Sequence, residues 1–236
     1  MIKEAVILAG GFGTRLQNVL NDMPKAMARI NGQPFLNYQL KFLKHFGIKK
    51  VILSVGYLHD KIQSHYKNDF EGVEIDYSIE KDPLGTGGGI RLALEKCSDN
   101  NILVLNGDSF FDMDLLHFYN QHLTHAGNFS LALLKVLNAS RYGTIEFGRS
   151  HTIASFKEKS TADAPGLINA GVYLMNRDLY LQKTASNINF SIEKDFFEKK
   201  IKEIEIFGFE QKGYFIDIGI PEDYSKAQHD FKEFKY

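Results

Sequence analysis

Ala5-Val6-Ile7-Leu8-Ala9-Gly10-Gly11-Phe12-Gly13-Thr14-Arg15-Leu16 is the stretch from which the rest of the chain is read. Its first four residues form a short apolar run, the pattern of a buried strand. The glycines that follow let backbone N–H groups approach a ligand that any Cβ would obstruct. In an open α/β sheet, ligands settle at the carboxyl ends of the strands, where this loop must lie. A nest of amides with Arg15 beside it is a natural anion site. Spelling excludes two other phosphate loops: a dinucleotide fingerprint needs a third glycine where Leu16 stands, and a P-loop needs Gly-Lys-Ser or Gly-Lys-Thr, which the chain lacks. A plain strand-to-helix turn is the bland alternative, but three glycines, a threonine and an arginine are more than a turn demands.

Outward from this loop, strands and helices alternate. Residues 35–46 carry apolar side chains at Phe35, Leu36, Leu40, Leu43 and Phe46, a helical period. Val51, Ile52 and Leu53 make the next strand, followed by a polar helix at 60–66, an alternating strand at 74–79 and a helix beginning at Gly89. Ile102 to Leu105 is a fourth strand, ending in Asn106-Gly107-Asp108. Such alternation means βαβ units: an α/β fold whose sheet is mainly parallel and covered by helices on both faces. The second half reads differently, as strands at 130–136, 143–147, 153–156 and 171–175, with helices at 192–200 and after Pro221. These suit mixed or antiparallel additions to the same sheet, forming a small β-rich lobe. One domain over 1–236 is the simplest organisation, with halves 1–110 and 111–236.

Composition narrows the partners. The 236 residues are 44% hydrophobic and 24% charged, with 28 Lys+Arg against 29 Asp+Glu and a formal net charge of −1. No basic excess drives nucleic-acid binding, and no polybasic run adjoins an apolar stretch to hold a membrane surface. No run approaches the ~18 apolar residues of a membrane span, and the start of the chain goes straight into the first strand, so a cytoplasmic protein is expected. The single cysteine, Cys97, excludes an internal disulfide and a cysteine-based zinc site, and reads as a buried structural thiol. His117, His122 and His125 share a polar segment without metal spacing and read as surface.

Six segments in order resemble the sugar-phosphate nucleotidyltransferases: Gly10 to Leu16 with Pro24-Lys25; Glu80-Lys81-Asp82-Pro83-Leu84-Gly85-Thr86-Gly87-Gly88; Asn106-Gly107-Asp108; Phe156-Lys157-Glu158-Lys159; Asn169-Ala170-Gly171-Val172-Tyr173; and Asp217-Ile218-Gly219-Ile220-Pro221-Glu222-Asp223-Tyr224. Within that family the chain looks like the D-glycero-α-D-manno-heptose 1-phosphate guanylyltransferases, and over the same segments it is similar to mannose-1-phosphate guanylyltransferases. The resemblance implies a Rossmann-like nucleotidyltransferase fold, with GTP and a sugar 1-phosphate as substrates. The products are a GDP-sugar and pyrophosphate, for surface polysaccharide synthesis in a bacterium. UTP, dTTP or CTP remain alternatives to GTP.

The chemistry implied is attack of a sugar-phosphate oxygen on the α-phosphorus of the triphosphate. A phosphate monoester has its second pKa near about 6, so the nucleophile is already ionised and needs no general base. Positioning two anions and stabilising the in-line transition state is what remains. Arg15, Lys25 and Asp108 are the catalytic candidates. By resemblance the triphosphate and nucleoside lie against Leu8, Ala9, Gly10, Gly11, Gly13, Thr14, Arg15, Lys25, Glu80, Gly85, Thr86, Asn106 and Gly107. Glu80, acceptor-only when ionised, suits the adjacent N–H donors of guanine, unless it pairs with Lys81 or Arg91 on the surface. Mg2+ is the expected cofactor, since it keeps one or two carboxylates plus substrate phosphates; the resemblance gives it Asp108 and Asp217. A turn-capping role for Asp217 is the structural alternative. Gly143, Glu158, Lys159, Asn169 and Gly171 are expected on the sugar phosphate, and Tyr142 and Tyr173 in packing. A nucleotide-sugar sensor would have lost some of these groups, and a dinucleotide oxidoreductase is disfavoured by Leu16. Whether the chain acts alone or as a homodimer stays open.

Overall fold

The computed structural model describes residues 2–11, 23–125, 127–157 and 164–236. In the first half the strands are β1 (Glu4–Leu8), β2 (Arg29–Ile30), β3 (Gln33–Pro34), β4 (Lys50–Val55), β5 (Asp69–Phe70), β6 (Val73–Ile79), β7 (Asn101–Asn106) and β8 (Ser109–Asp112). The second half contributes β9 (Phe129–Val136), β10 (Thr144–Phe147), β11 (Ile153–Lys157), β12 (Gly166–Asn176), β13 (Phe207–Glu210) and β14 (Tyr214–Asp217). One ten-stranded sheet runs in the order β11-β10-β12-β7-β1-β4-β6-β5, with β9 on β12 and β13 on β9. Strands β7, β1, β4 and β6 are mutually parallel, whereas β12 is antiparallel to β7. The α/β sheet of mixed, mostly parallel character expected from the sequence is therefore present.

β1 lies between β4, to which the chain crosses first, and β7, to which it returns. That reversal makes the carboxyl ends of β1 and β7 a topological switch point, where a crevice opens. Alternation along β1 sends Val6 to one face with Ile52, Val104, Ile90 and Tyr180, and Ala5 and Ile7 to the other with Val51, Leu53, Leu103, Leu36 and Leu40. Burial of each such Leu or Ile contributes about 1.5–3 kcal/mol. Helix Phe35–His45 covers the second face and helix Gly85–Leu94 the first, so β1, β4 and β7 bury apolar side chains on both sides, whereas the outer β6 turns Val73 and Ile75 inward and Glu74 and Asp76 toward solvent.

Three expectations are corrected. The helix expected to begin at Gly89 starts at Gly85, and its first turn is glycine-rich because it packs closely on residues 188–190: a Cβ on Gly87 would sit 2.1 Å from the Phe190 ring. Residues 192–200 are not one α-helix but a π-helical stretch, Ile192–Phe197, running into Glu198–Lys200. His122 is not on the surface. Helix Leu115–Thr124 places it with Leu115 and Phe118 on the inward face, where the ring meets Ser130 Oγ at 2.9 Å, and burial pushes its imidazole down to about 4. His117 is exposed as expected, and His125 is half-buried against Phe207 and Phe209. Cys97 is buried, and that burial pushes its thiol up to about 12. No helix among the described residues is long and apolar enough to cross a membrane.

Candidate active site

The crevice is built by two turns docking on each other. Gly107 N–H donates to the Leu8 carbonyl at 3.0 Å, and Ala9 N–H donates to Ser54 O at 2.8 Å. A Cβ on Gly107 would stand 2.3 Å from Leu8 O, so only glycine lets the turn after β7 seat against the end of β1. A cavity of about 280 Å³ lies above this junction. Its lining includes Leu8, Ala9, Gly10, Gly11, Lys25, Glu80, Gly85, Thr86, Asn106, Gly107 and Asp108. Gly13, Thr14 and Arg15 lie outside the described residues.

A second cavity of about 380 Å³ opens between β10, β12 and the end of β14. Gly143, Asn169, Gly171, Asp108 and Asp217 line it, with Arg141, Tyr142, Lys157 and Glu193. Glu158 and Lys159 lie outside the described residues. Asn106 and Asp108 line both cavities, so the two spaces meet at the turn after β7.

At that junction Lys25 Nζ lies 2.6 Å from Asp108 Oδ2. Lys25 opens the 3-10 turn Lys25–Met27, behind Pro24 with φ −57°, and its side chain is mostly buried. Asp217 arrives from another part of the chain. β14 pairs antiparallel with β8, putting Asp217 opposite Ser109, and Ile218 N–H donates to Asp108 O at 2.9 Å. Burial raises the Asp217 carboxyl above its ordinary range; the neighbouring Asp108 charge adds to this, while Lys25 opposes it. Asp217 Oδ1 also accepts Gly219 N–H at 2.7 Å, so the turn-capping alternative is realised alongside the encounter with Asp108 and Lys25.

Two carboxylates facing one crevice, one of them held against a lysine cation, suit a hard divalent ion. Such an ion would complete its shell with water and phosphate oxygens.

Glu80 pairs with neither Lys81 nor Arg91. Its Oε2 accepts Leu84 N–H at 2.8 Å and its Oε1 the Ser54 hydroxyl at 3.3 Å, while Arg91 holds Glu95. Burial raises its carboxyl. Each oxygen keeps a further lone pair, so the group can still accept from a ligand in the cavity. Tyr173 is packed as expected but also linked: its hydroxyl donates to Glu193 Oε1 at 3.0 Å and accepts from Asn169 Nδ2 at 2.9 Å. Thr86 Oγ1 donates to Glu193 Oε2 at 3.2 Å, which ties a wall residue of the first cavity to one of the second. Glu193 and Arg141, which grips Asp223 at 2.6 Å, carry no sequence signal that separates them from surface charge. Gln39 does carry one: it sits four residues from both Phe35 and Leu43, a polar side chain on an apolar stripe.

Comparison with known proteins agrees with this fold. The model of the nucleotidyl transferase family matches residues 4–233. The chain is 42% identical over 231 residues to a D-glycero-alpha-D-manno-heptose 1-phosphate guanylyltransferase from Aneurinibacillus thermoaerophilus, covering 98% of this chain and 99% of that one. It is 34% identical to a mannose-1-phosphate guanylyltransferase catalytic subunit beta from Danio rerio, over 94% of this chain but 62% of the relative. Among solved structures, HddC from Yersinia pseudotuberculosis superposes with a TM-score of 0.86 at 35% identity, covering 98% of this chain and all of the other, and it has also been solved complexed with GMP-PN.

Proposed function

The chain belongs to the nucleotidyl transferase family, and from that premise we propose that it condenses D-glycero-α-D-manno-heptose 1-phosphate with GTP, releasing pyrophosphate and GDP-heptose. The observation that carries the proposal is the convergence of Lys25, Asp108 and Asp217 at the junction of two cavities. Support for the base and the sugar comes from the near full-length identity to a heptose 1-phosphate guanylyltransferase and from the GMP-PN complex of HddC.

In this reading the triphosphate occupies the cavity over β1 and β7. The amides of Gly10 and Gly11 face its phosphates, Glu80 takes guanine N–H donors, and Gly85 and Thr86 flank the nucleoside. The sugar phosphate enters the second cavity, against Gly143, Asn169 and Gly171, with Glu158 and Lys159 assigned by resemblance. Residues 1–110 are then the nucleotide side and 111–236 the sugar side. The attacking phosphate oxygen is ionised at neutral pH, so the site has no proton to remove. Lys25 stabilises negative charge growing on the α-phosphoryl oxygens, with Arg15 assigned beside it. Asp108 and Asp217 would hold Mg2+, which would supply positive charge to offset the negative charge of the phosphates. Asp108 lines both cavities and Lys25 pairs with it, which supports assigning this cation and acid to the meeting point of attacking oxygen and α-phosphorus.

The test is pyrophosphate release with Mg2+, each of GTP, UTP, dTTP and CTP, and a panel of sugar 1-phosphates. GTP with the heptose 1-phosphate is expected to give the highest kcat/KM. A higher value with mannose 1-phosphate moves the sugar assignment to that relative, and no release with any pair ends the proposal. A role in making bacterial surface polysaccharide is assigned by resemblance alone.

A further inference from the structure

Gln39 is fully buried in helix Phe35–His45, on the side that meets the sheet. Its Nε2 donates to Asn106 O at 2.7 Å and to Ser109 O at 2.8 Å. Those carbonyls bracket Gly107-Asp108, so one amide staples both shoulders of the turn that presents Asp108. Among the described residues, Gln39 Oε1 and the buried Asn106 Oδ1 meet no hydrogen-bond donor. An unmet buried acceptor is destabilising, and Leu36, Leu40 and Leu43 show what the same helix face otherwise carries. What sets Gln39 apart from those neighbours is its pair of donated hydrogen bonds. The stapled turn also carries the Asp108 carbonyl that receives Ile218 N–H, the backbone link to the Asp217 segment.

We infer that Gln39 is a positioning residue for the reaction: its paired hydrogen bonds to Asn106 O and Ser109 O set the turn that aims Asp108 at the metal and the reacting phosphate. The inference rests on the nucleotidyl-transfer reading of the site. Gln39 touches no substrate, since it lines neither cavity, and it acts only through Asp108.

Gln39→Met keeps the volume and removes both donors. The expected result is a kcat lowered roughly tenfold to hundredfold and Mn2+ bound roughly tenfold more weakly, the usual effect of losing a group that orients a metal ligand. The KM values for GTP and sugar phosphate should stay within about threefold, because the cavity walls are untouched. Gln39→Glu keeps the shape and, protonated in that apolar site, offers one donor instead of two; its kcat and Mn2+ affinity should fall between wild type and Gln39→Met. In an Asp108→Ala background, Gln39→Met should lower the residual rate no further. Near wild-type kcat and Mn2+ affinity for Gln39→Met overturns the inference. So does a loss of the same factor in the Asp108→Ala background, which marks a general packing role. Should Gln39→Met not fold, Gln39→Glu decides, and wild-type kcat and Mn2+ affinity there overturn it. A wild-type chain that releases no pyrophosphate refutes the functional reading instead, and the Mn2+ titrations of wild type and variants still judge Gln39.

Discussion

Gly107→Ala tests how the site is held together. The new methyl would stand 2.3 Å from Leu8 O and 3.0 Å from Leu8 C, whereas ordinary contact begins near 3.4 Å. The turn must therefore withdraw by about 1 Å, because β1 is locked on both edges by β4 and β7. Withdrawal breaks the Gly107 N–H bond to Leu8 O, a loss of about 1 kcal/mol, and overpacking adds about 1–3 kcal/mol. A total near 3 kcal/mol lowers Tm by roughly 6–12 °C in a chain of this length. Asp108 rides on the turn, and a 1 Å misplacement of a reacting group lowers turnover by roughly a hundredfold. Thermal melts by circular dichroism and steady-state pyrophosphate release measure the two effects. A variant with Tm within 1 °C and kcat within threefold of wild type would refute the docking argument.

Other substitutions address the chemistry and the core. Lys25→Ala and Asp108→Ala should each lower kcat by roughly 10²–10³-fold with circular dichroism spectra unchanged; near-normal turnover in either removes that residue from the site. Glu80→Gln should narrow the GTP-to-UTP ratio of kcat/KM, and an unaltered ratio means Glu80 does not read the base. His122 titrates near 6.5 unfolded and near 4 folded. Between those values the unfolded chain binds the extra proton, so its contribution is complete above pH 6.5 and is lost as pH falls toward 4. At 1.36 kcal/mol per pH unit the loss approaches about 3 kcal/mol. The stability gap between wild type and His122→Gln, from urea melts, should shrink by that order between pH 7 and 4.5; a gap independent of pH contradicts the burial argument.

The βα alternation and the position of Asp108 after β7 are legible because each is local, a period and a carboxylate at a strand's end, whereas the pairing of Asp108 with Asp217 rests on the resemblance. What escaped depends on tertiary partners. His122 looks like its neighbours His117 and His125 until the helix phase is fixed by Leu115 and Phe118. The packing that demands glycine at 85, 87 and 88 is invisible locally, because their neighbours, Ile188 and Phe190, are about a hundred residues away. Glu193 is one acid in a charged segment, and only the fold brings Thr86 and Tyr173 to it. Gln39 was discoverable, since a polar group on an apolar stripe asks for a buried partner.

β12 changes neighbours midway along its length. Val172 to Asn176 pair with β7, Ile168 pairs with Thr144 of β10, and β9 runs beside both stretches. Gly171, at φ +71°, stands where the pairing with β9 shifts register. No swivel can therefore run between the two ends of the crevice without tearing a continuous ribbon, and amide exchange across β7, β12 and β10 should open as one cooperative unit. A fragment severed after β8 would leave the β7 edge bare, an invitation to stray strands to zip on.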